Sequence, residues 1–315
     1  MAKQCKFYYT TYRYGFMEIN NKLTYVTCIY DNLFNTEFGG RPDPVWRRYY
    51  YGIESMLKLM APIVIFTWSY EVEKVTTYYK NFLGEERFNK QVKILPFDLQ
   101  DSPLYELIKS IKTTEQGRGN DRSYDLMMAK FLFLQKITKE NYFNSQYIFW
   151  IDAGLSHSAL FPHKFLNKTD LDRQWTECNL FTPTVVDTTI RRSKDSILLI
   201  RCNSIGHWFP PDIINLNTRN PDNLWYIVGG YFGGRIDLME QFCSTIISEF
   251  KEHIITNHIL LLDEQLLTIH VSFNEEKYVY ETFDVWVHED SGEWAQQFIK
   301  DKKSFYKIFM EYNLI

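Results

Sequence analysis

The chain has 315 residues, a formal net charge of −4 and a sequence pI near 6.0. It therefore lacks the basic excess that grips a phosphate backbone, and nucleic acid is excluded as a general partner. The five cysteines, Cys5, Cys28, Cys178, Cys202 and Cys243, are odd in number and nowhere spaced as Cys-x-x-Cys, which excludes a disulfide framework and a zinc site and reads as buried free thiols in a reducing compartment. No stretch approaches the ~18 consecutive apolar residues of a membrane span, and the N-terminus has no apolar run of signal-peptide length. A soluble, cytoplasmic protein is expected, with no transmembrane segment and with peripheral membrane contact left open.

The length allows one large α/β domain or two smaller ones; no repeat or low-complexity linker divides the chain, so one domain is expected. Residues 1–20 show no clear period and read as an arm. Leu23 to Tyr30 is β-branched and aromatic, the pattern of a first strand. A loop with Gly39 and Gly40 leads to a helical segment from Pro44 to Leu59, and Ala61 to Thr67 is a second buried strand. A further helix precedes a third strand, Val92 to Pro96. Strand alternating with helix signals a mostly parallel sheet.

Glycines and polar residues between Thr113 and Ser123 read as a flexible loop, and Ser123 to Thr138 as a helix apolar nearly all round, hence buried. Lys130 lies inside it, and its ammonium either snorkels to solvent or points at a phosphate or at Asp152. Tyr147 to Ile151 is a strand buried on both faces that ends at Asp152, followed by Ala153 and Gly154. A carboxylate at the carboxyl end of such a strand stands where open α/β sheets bind ligands; the plainer reading is an Asp that starts a turn. Ser196 to Cys202 is another strand. Trp225 to Gly234 is one more, carrying Gly229, Gly230, Gly233 and Gly234, glycines that a strand tolerates where a neighbour or ligand comes close.

The helix behind that strand places Met239, Phe242, Cys243, Ile246, Ile247 and Phe250 on one core face. His253 and His258, five apart, are wrongly spaced for two ligands on one helical face. Next, Leu260 to Leu267 sets Asp263, Glu264 and Gln265 in an apolar run. Asp263 suits an N-cap, whereas two carboxylates in such surroundings suggest a site with shifted pKa values. Strands near Tyr278 to Val287, then His288 and a charged aromatic tail over 291–315, close the chain. Aromatics make up 17% of residues, with 22 Tyr. Rings lining a groove for flat or sugar-like ligands are expected, against the plainer packing of Tyr at strand edges.

The stretches Thr24-Tyr25-Val26-Thr27, Ile63-Val64-Ile65-Phe66-Thr67, Lys130, Trp150-Ile151-Asp152-Ala153-Gly154 and Gly229-Gly230-Tyr231-Phe232-Gly233-Gly234, in this order, resemble the HtrL/YibB family of bacterial glycosyltransferase-like proteins. The pattern also looks like the retaining blood-group-type glycosyltransferases, in which a Gly-x-Phe-Phe-Gly-Gly strand precedes an Asp-Glu pair. The resemblance implies a single α/β, Rossmann-like domain of the GT-A type over residues 21–290. It implies a nucleotide-sugar donor, most simply a UDP-sugar, and a glycan or other hydroxyl acceptor.

On the same resemblance Asp152 matches the first Asp of a metal-binding Asp-x-Asp, while Gly154 replaces the second, which puts dependence on Mn2+ or Mg2+ in doubt. Asp263 would contact the donor sugar, and Glu264 would be the nucleophile or the stabiliser of the anomeric carbon. Thr27 and Tyr30 would hold the base, and Lys130 would balance phosphate charge. Ala153, Gly154, Gly229 and Gly230 would border the donor, and His288 is a replacement metal ligand or a plain surface residue. No P-loop, Gly-x-Ser-x-Gly elbow or His-Glu-x-x-His motif occurs, so ATPase, serine hydrolase and zinc protease chemistry are excluded. The competing expectation, favoured by the missing second Asp, is a sugar-nucleotide or glycan-binding protein without turnover.

Overall fold

A computed structural model describes residues 18–30, 45–111, 121–153, 183–202, 226–258 and 260–283. The tail at 291–315, nearly all of the arm, most of the loop before the Lys130 helix, Gly154 and His288 lie outside these residues. The described strands are β1 (Leu23–Cys28), β2 (Ile63–Thr67), β3 (Val92–Pro96), β4 (Tyr147–Ile151), β5 (Ile197–Cys202), β6 (Tyr226–Arg235) and β7 (Tyr278–Phe283). They form one sheet in the order β3-β2-β1-β4-β6-β5-β7. Pairing is parallel from β3 through β4 and between β5 and β7, and antiparallel where β6 meets β4 and β5. The expected mostly parallel α/β sheet is thus present, with β6 as a reversed insertion beside β4.

The helices are α1 (Val45–Met56), α2 (Val72–Leu83), α3 (Glu85–Gln91), α4 (Tyr105–Ser110), α5 (Asp121–Glu140), α6 (Pro183–Arg192), α7 (Ile236–Asn257) and α8 (Asp263–Phe273). They form two layers because every residue of β2 and β4 is buried, so both faces of the central strands need cover. On one face Val26, Phe66 and Trp150 pack with Met128, Phe131 and Phe133 of α5, Phe242 and Ile246 of α7, and Leu267 of α8. On the other, Tyr25, Ile65 and Phe149 pack with Ile53 of α1, Val75 and Tyr79 of α2, and Val185 of α6. The alternation of neighbouring strand residues between the two layers is the period of two made visible.

The apolar face read on α7 is buried as expected, and the helix stops at His258, which adopts a left-handed φ of 54°. One glycine of β6 is required by the sheet itself. A Cβ on Gly233 would strike the Ile148 carbonyl and the Phe149 backbone of β4. Only the smallest residue lets the reversed strand dock there.

Candidate active site

Three elements converge at the carboxyl edge of the central strands: α5 with Lys130, the end of β4 with Asp152, and the start of α8 with Asp263 and Glu264. The Lys130 side chain is 7% exposed, too deep to snorkel. Its Nζ donates to Asp263 Oδ2 at 2.5 Å and to the Gly229 carbonyl at 3.1 Å, and stands 3.9 Å from Asp152 Oδ1. It also lies 5.4 Å from the centre of the Trp150 ring. Burial pulls the ammonium pKa down, but Asp263 and Asp152 outweigh it and hold the group above its ordinary value, so it stays charged.

Asp152 is held by the residue two before it, on the same strand face. The Trp150 indole N–H donates to Asp152 Oδ1 at 2.6 Å. The Asp152 backbone N–H extends the β4 ladder to the Gly230 carbonyl at 2.9 Å, and Ala153 beside it is buried. The Asp152 side chain keeps 43% of its surface open, and among the described residues its Oδ2 has no partner. Withdrawal of the surroundings from water raises its carboxyl above the ordinary range and Lys130 draws it back.

Asp263 is not the helix cap the sequence suggested. Leu262 holds the N-cap position, its N–H met by the Gln265 side chain at 2.9 Å, which leaves Asp263 as the first helical residue with its carboxylate committed to Lys130. Glu264 accepts the Gly229 N–H through Oε1 at 3.1 Å. Burial pushes its carboxyl up to about 7, against the pull of that N–H and of Lys130, and with help from negative Asp152. A Cβ on Gly229 would land on Asp263 Oδ2 and crowd the Glu264 side chain. This glycine thus makes room for the two carboxylates, the neighbour among the two reasons the strand pattern left open.

Thr27 and Tyr30 lie differently. Thr27 is fully buried, belongs to the face of β1 that carries Tyr25 and Ile29, opposite Lys130, and its hydroxyl has no hydrogen-bond partner among the described residues. Tyr30 is on the Lys130 face, but its hydroxyl donates to the Phe97 carbonyl at 3.0 Å and its ring packs edge-on against Trp68. Two neighbours of the cluster were missed in the sequence: the Trp150 N–H, which period-two reasoning from Asp152 could have found, and Cys28, whose thiol burial and Asp152 push up while Lys130 pulls it down.

For a divalent ion, the described residues contain no group of three or more His, Cys, Asp or Glu side chains placed to hold one. Of the Lys130 carboxylate partners, Asp152 is the one with a largely open side chain, whereas Asp263 is buried with its Oδ2 bonded to Lys130. That donor set fits only an ion whose remaining positions are filled by phosphate and water, the way Mg2+ is commonly held. No helix of the described residues is long and apolar enough to cross a membrane.

The chain matches no protein-family profile and no curated protein sequence. It is similar in structure to mouse xyloside xylosyltransferase 1 in its apo form, at 13% identity and a TM-score of 0.50, over 90% of this chain and 95% of that one. The fold is of the GT-A type. A galactosyltransferase solved with donor and acceptor sugar analogues matches at 8% identity and a TM-score of 0.43, over 82% of this chain and 72% of that one. A 4-diphosphocytidyl-2C-methyl-D-erythritol synthase from Anaerococcus prevotii matches at 10% identity and a TM-score of 0.40, over 90% and 96% of the two chains.

Proposed function

We propose that the chain is a glycosyltransferase that moves a sugar from a nucleotide-diphospho-sugar, most simply a UDP-sugar, to a hydroxyl of a glycan acceptor with retention at the anomeric carbon. The observation that carries this reading is the buried Lys130, joined to Asp263 and close to Asp152, at the ligand edge of a GT-A sheet with Glu264 beside it. In such a transfer the bond from the anomeric carbon to the diphosphate oxygen breaks, a bond to the acceptor oxygen forms, and the acceptor's proton is released. Positive charge grows on the sugar and negative charge on the departing diphosphate.

Glu264, ionised above a pKa of about 7, supplies negative charge on the sugar side. Asp263, fixed by Lys130, is rigid enough to orient sugar hydroxyls before reaction. Two of the three Lys130 N–H donors go to Asp263 and the Gly229 carbonyl, so its role is to hold the carboxylates in place and offset part of their charge. Asp152 presents its open oxygen to the donor, and would be the residue that holds a Mn2+ or Mg2+ ion arriving with the diphosphate. Such an ion would supply positive charge at the leaving group.

The test is incubation with a panel of sugar nucleotides, with and without manganese, scored for release of nucleoside diphosphate and for transfer to added glycans. Slow hydrolysis of one donor, quickened by an acceptor, is the expected result. Tight binding of sugar nucleotides with no turnover under any condition would replace this reading with the binding-protein one.

A further inference from the structure

Just past the end of β2, Trp68 and Tyr70 stack with ring centroids 6.1 Å apart and planes 12° from parallel. Tyr70 is 71% exposed, far from the burial expected of a ring that serves the core. The backbone between them is held by a tight turn, in which the Glu71 N–H donates to the Trp68 carbonyl at 2.9 Å and the Ser69 N–H donates to Asp98 Oδ1 at 2.9 Å. Trp68 is braced from behind by Tyr30, edge-on at 4.9 Å. Tyr30 is braced in turn by Phe133 of α5. The result is a stiff aromatic shelf on the same face of the sheet as Lys130.

Sheet register locates the shelf relative to the charged cluster. Tyr25 of β1 pairs with Ile63 on one side and Phe149 on the other, so three rungs further on Phe66 is level with Asp152. The two strands are separated by β1 alone, about 10 Å at ordinary strand spacing. Trp68 stands two residues beyond that level. Asp263 and Glu264 are held against β6, on the opposite flank of Asp152. Along the carboxyl edge the order is therefore aromatic shelf, open carboxylate, transfer carboxylates. A nucleotide-diphospho-sugar has the same order of parts: flat base, diphosphate, sugar.

We propose that Trp68 and Tyr70 form the stacking seat of the donor's nucleobase, with Tyr30 as its support. This rests on the nucleotide-sugar reading above. Stacking recognises any flat heterocycle through its π-face, so the shelf contributes affinity for the nucleoside and leaves the choice of base to other contacts.

The experiment compares uridine diphosphate and inorganic pyrophosphate by calorimetric titration, each with manganese, on the full chain and on Tyr70→Ala and Tyr70→Phe. Tyr70 is surface-exposed, so neither change threatens folding; thermal melting checks this. Base stacking is sensitive to ring loss, and a 5- to 50-fold weakening of uridine diphosphate by Tyr70→Ala is expected, roughly the lower part of the range known for base–aromatic contacts. Pyrophosphate affinity should be unchanged and Tyr70→Phe should bind as the wild type. Equal weakening of both ligands, or none of either, overturns the assignment while leaving the transferase reading intact. Unchanged diphosphate binding with a raised acceptor KM gives the shelf to the glycan and overturns it too. A wild-type chain that binds no nucleoside diphosphate at all sinks both readings together.

Discussion

The two ends of α8 both carry buried ionisable groups, and they are built on opposite plans. At the C-terminal end His270 places Nδ1 2.9 Å from both oxygens of Glu249 and Nε2 2.5 Å from the Tyr278 hydroxyl, with Phe242 against the rings. Both ring nitrogens are thereby engaged, one by the carboxylate and one by the phenol. At the N-terminal end one ammonium serves three carboxylates, Asp152, Asp263 and Glu264, one of which is open to solvent and another held with its pKa near 7. The first arrangement closes on itself and needs nothing from outside. The second carries an excess of negative charge at the edge of a sheet, a state that folding alone does not favour and that a reacting ligand can use.

Removing Lys130 should give the largest effect on the N-terminal end. Lys130→Met leaves Asp263 as a buried charge without its counter-ion, and breaking such a pair costs about 3–5 kcal/mol of stability. Chemical denaturation of the two proteins would show it; a loss below about 1 kcal/mol would mean that the carboxylates are already well solvated.

Next comes Glu264→Gln, expected to lower kcat by ~10²-fold while donor KM changes little, because the carboxylate gains interaction chiefly as charge develops at the anomeric carbon. Near-normal kcat in that variant would take the chemistry away from Glu264. The same residue sets a pH dependence. Its folded pKa of about 7 lies above the ordinary glutamate value of 4.5, so the ionised form needed for transfer is lost as pH falls through 7. The rate should drop about tenfold per unit below that point. Stability moves the other way: the native state holds the proton more tightly, so this group's contribution is full below 4.5 and is lost as pH rises through about 7. A rate profile flat from pH 5 to 8 would contradict the assignment.

The smallest effect belongs to the C-terminal end. His270→Phe keeps the ring packing and strips the hydrogen bonds, for a loss of about 1–3 kcal/mol in stability and none in activity per folded molecule. A fall in kcat comparable to that of Glu264→Gln would erase the distinction between the two ends.

Much of this arrangement was legible in the sequence. The strands were visible because residues such as Ile63 to Thr67 and Tyr147 to Ile151 are buried on both faces and therefore apolar but for the closing Thr67. Asp152, Lys130, Asp263 and Glu264 stood out as charges in apolar runs, and the structure brings them together. What stayed hidden depends on partners remote in sequence. The reversal of β6 and the need for Gly233 follow from docking against β4, and Gly229 is small because Asp263 and Glu264 occupy its Cβ space. Asp263 has the composition of a cap, but an ammonium 133 residues away claims it and Gln265 caps instead. Thr27 lies next to the end of β1 yet faces the layer opposite Lys130, a distinction of one residue in the strand's period.

The most direct test of the central claim is calorimetric titration of uridine diphosphate, with manganese, into the wild-type chain and Asp152→Ala, with thermal melting of both. Asp152 ends its strand with an open side chain, so the account predicts that the variant melts within a few degrees of the wild type and loses nucleotide binding. Undiminished binding by a folded Asp152→Ala protein would contradict it.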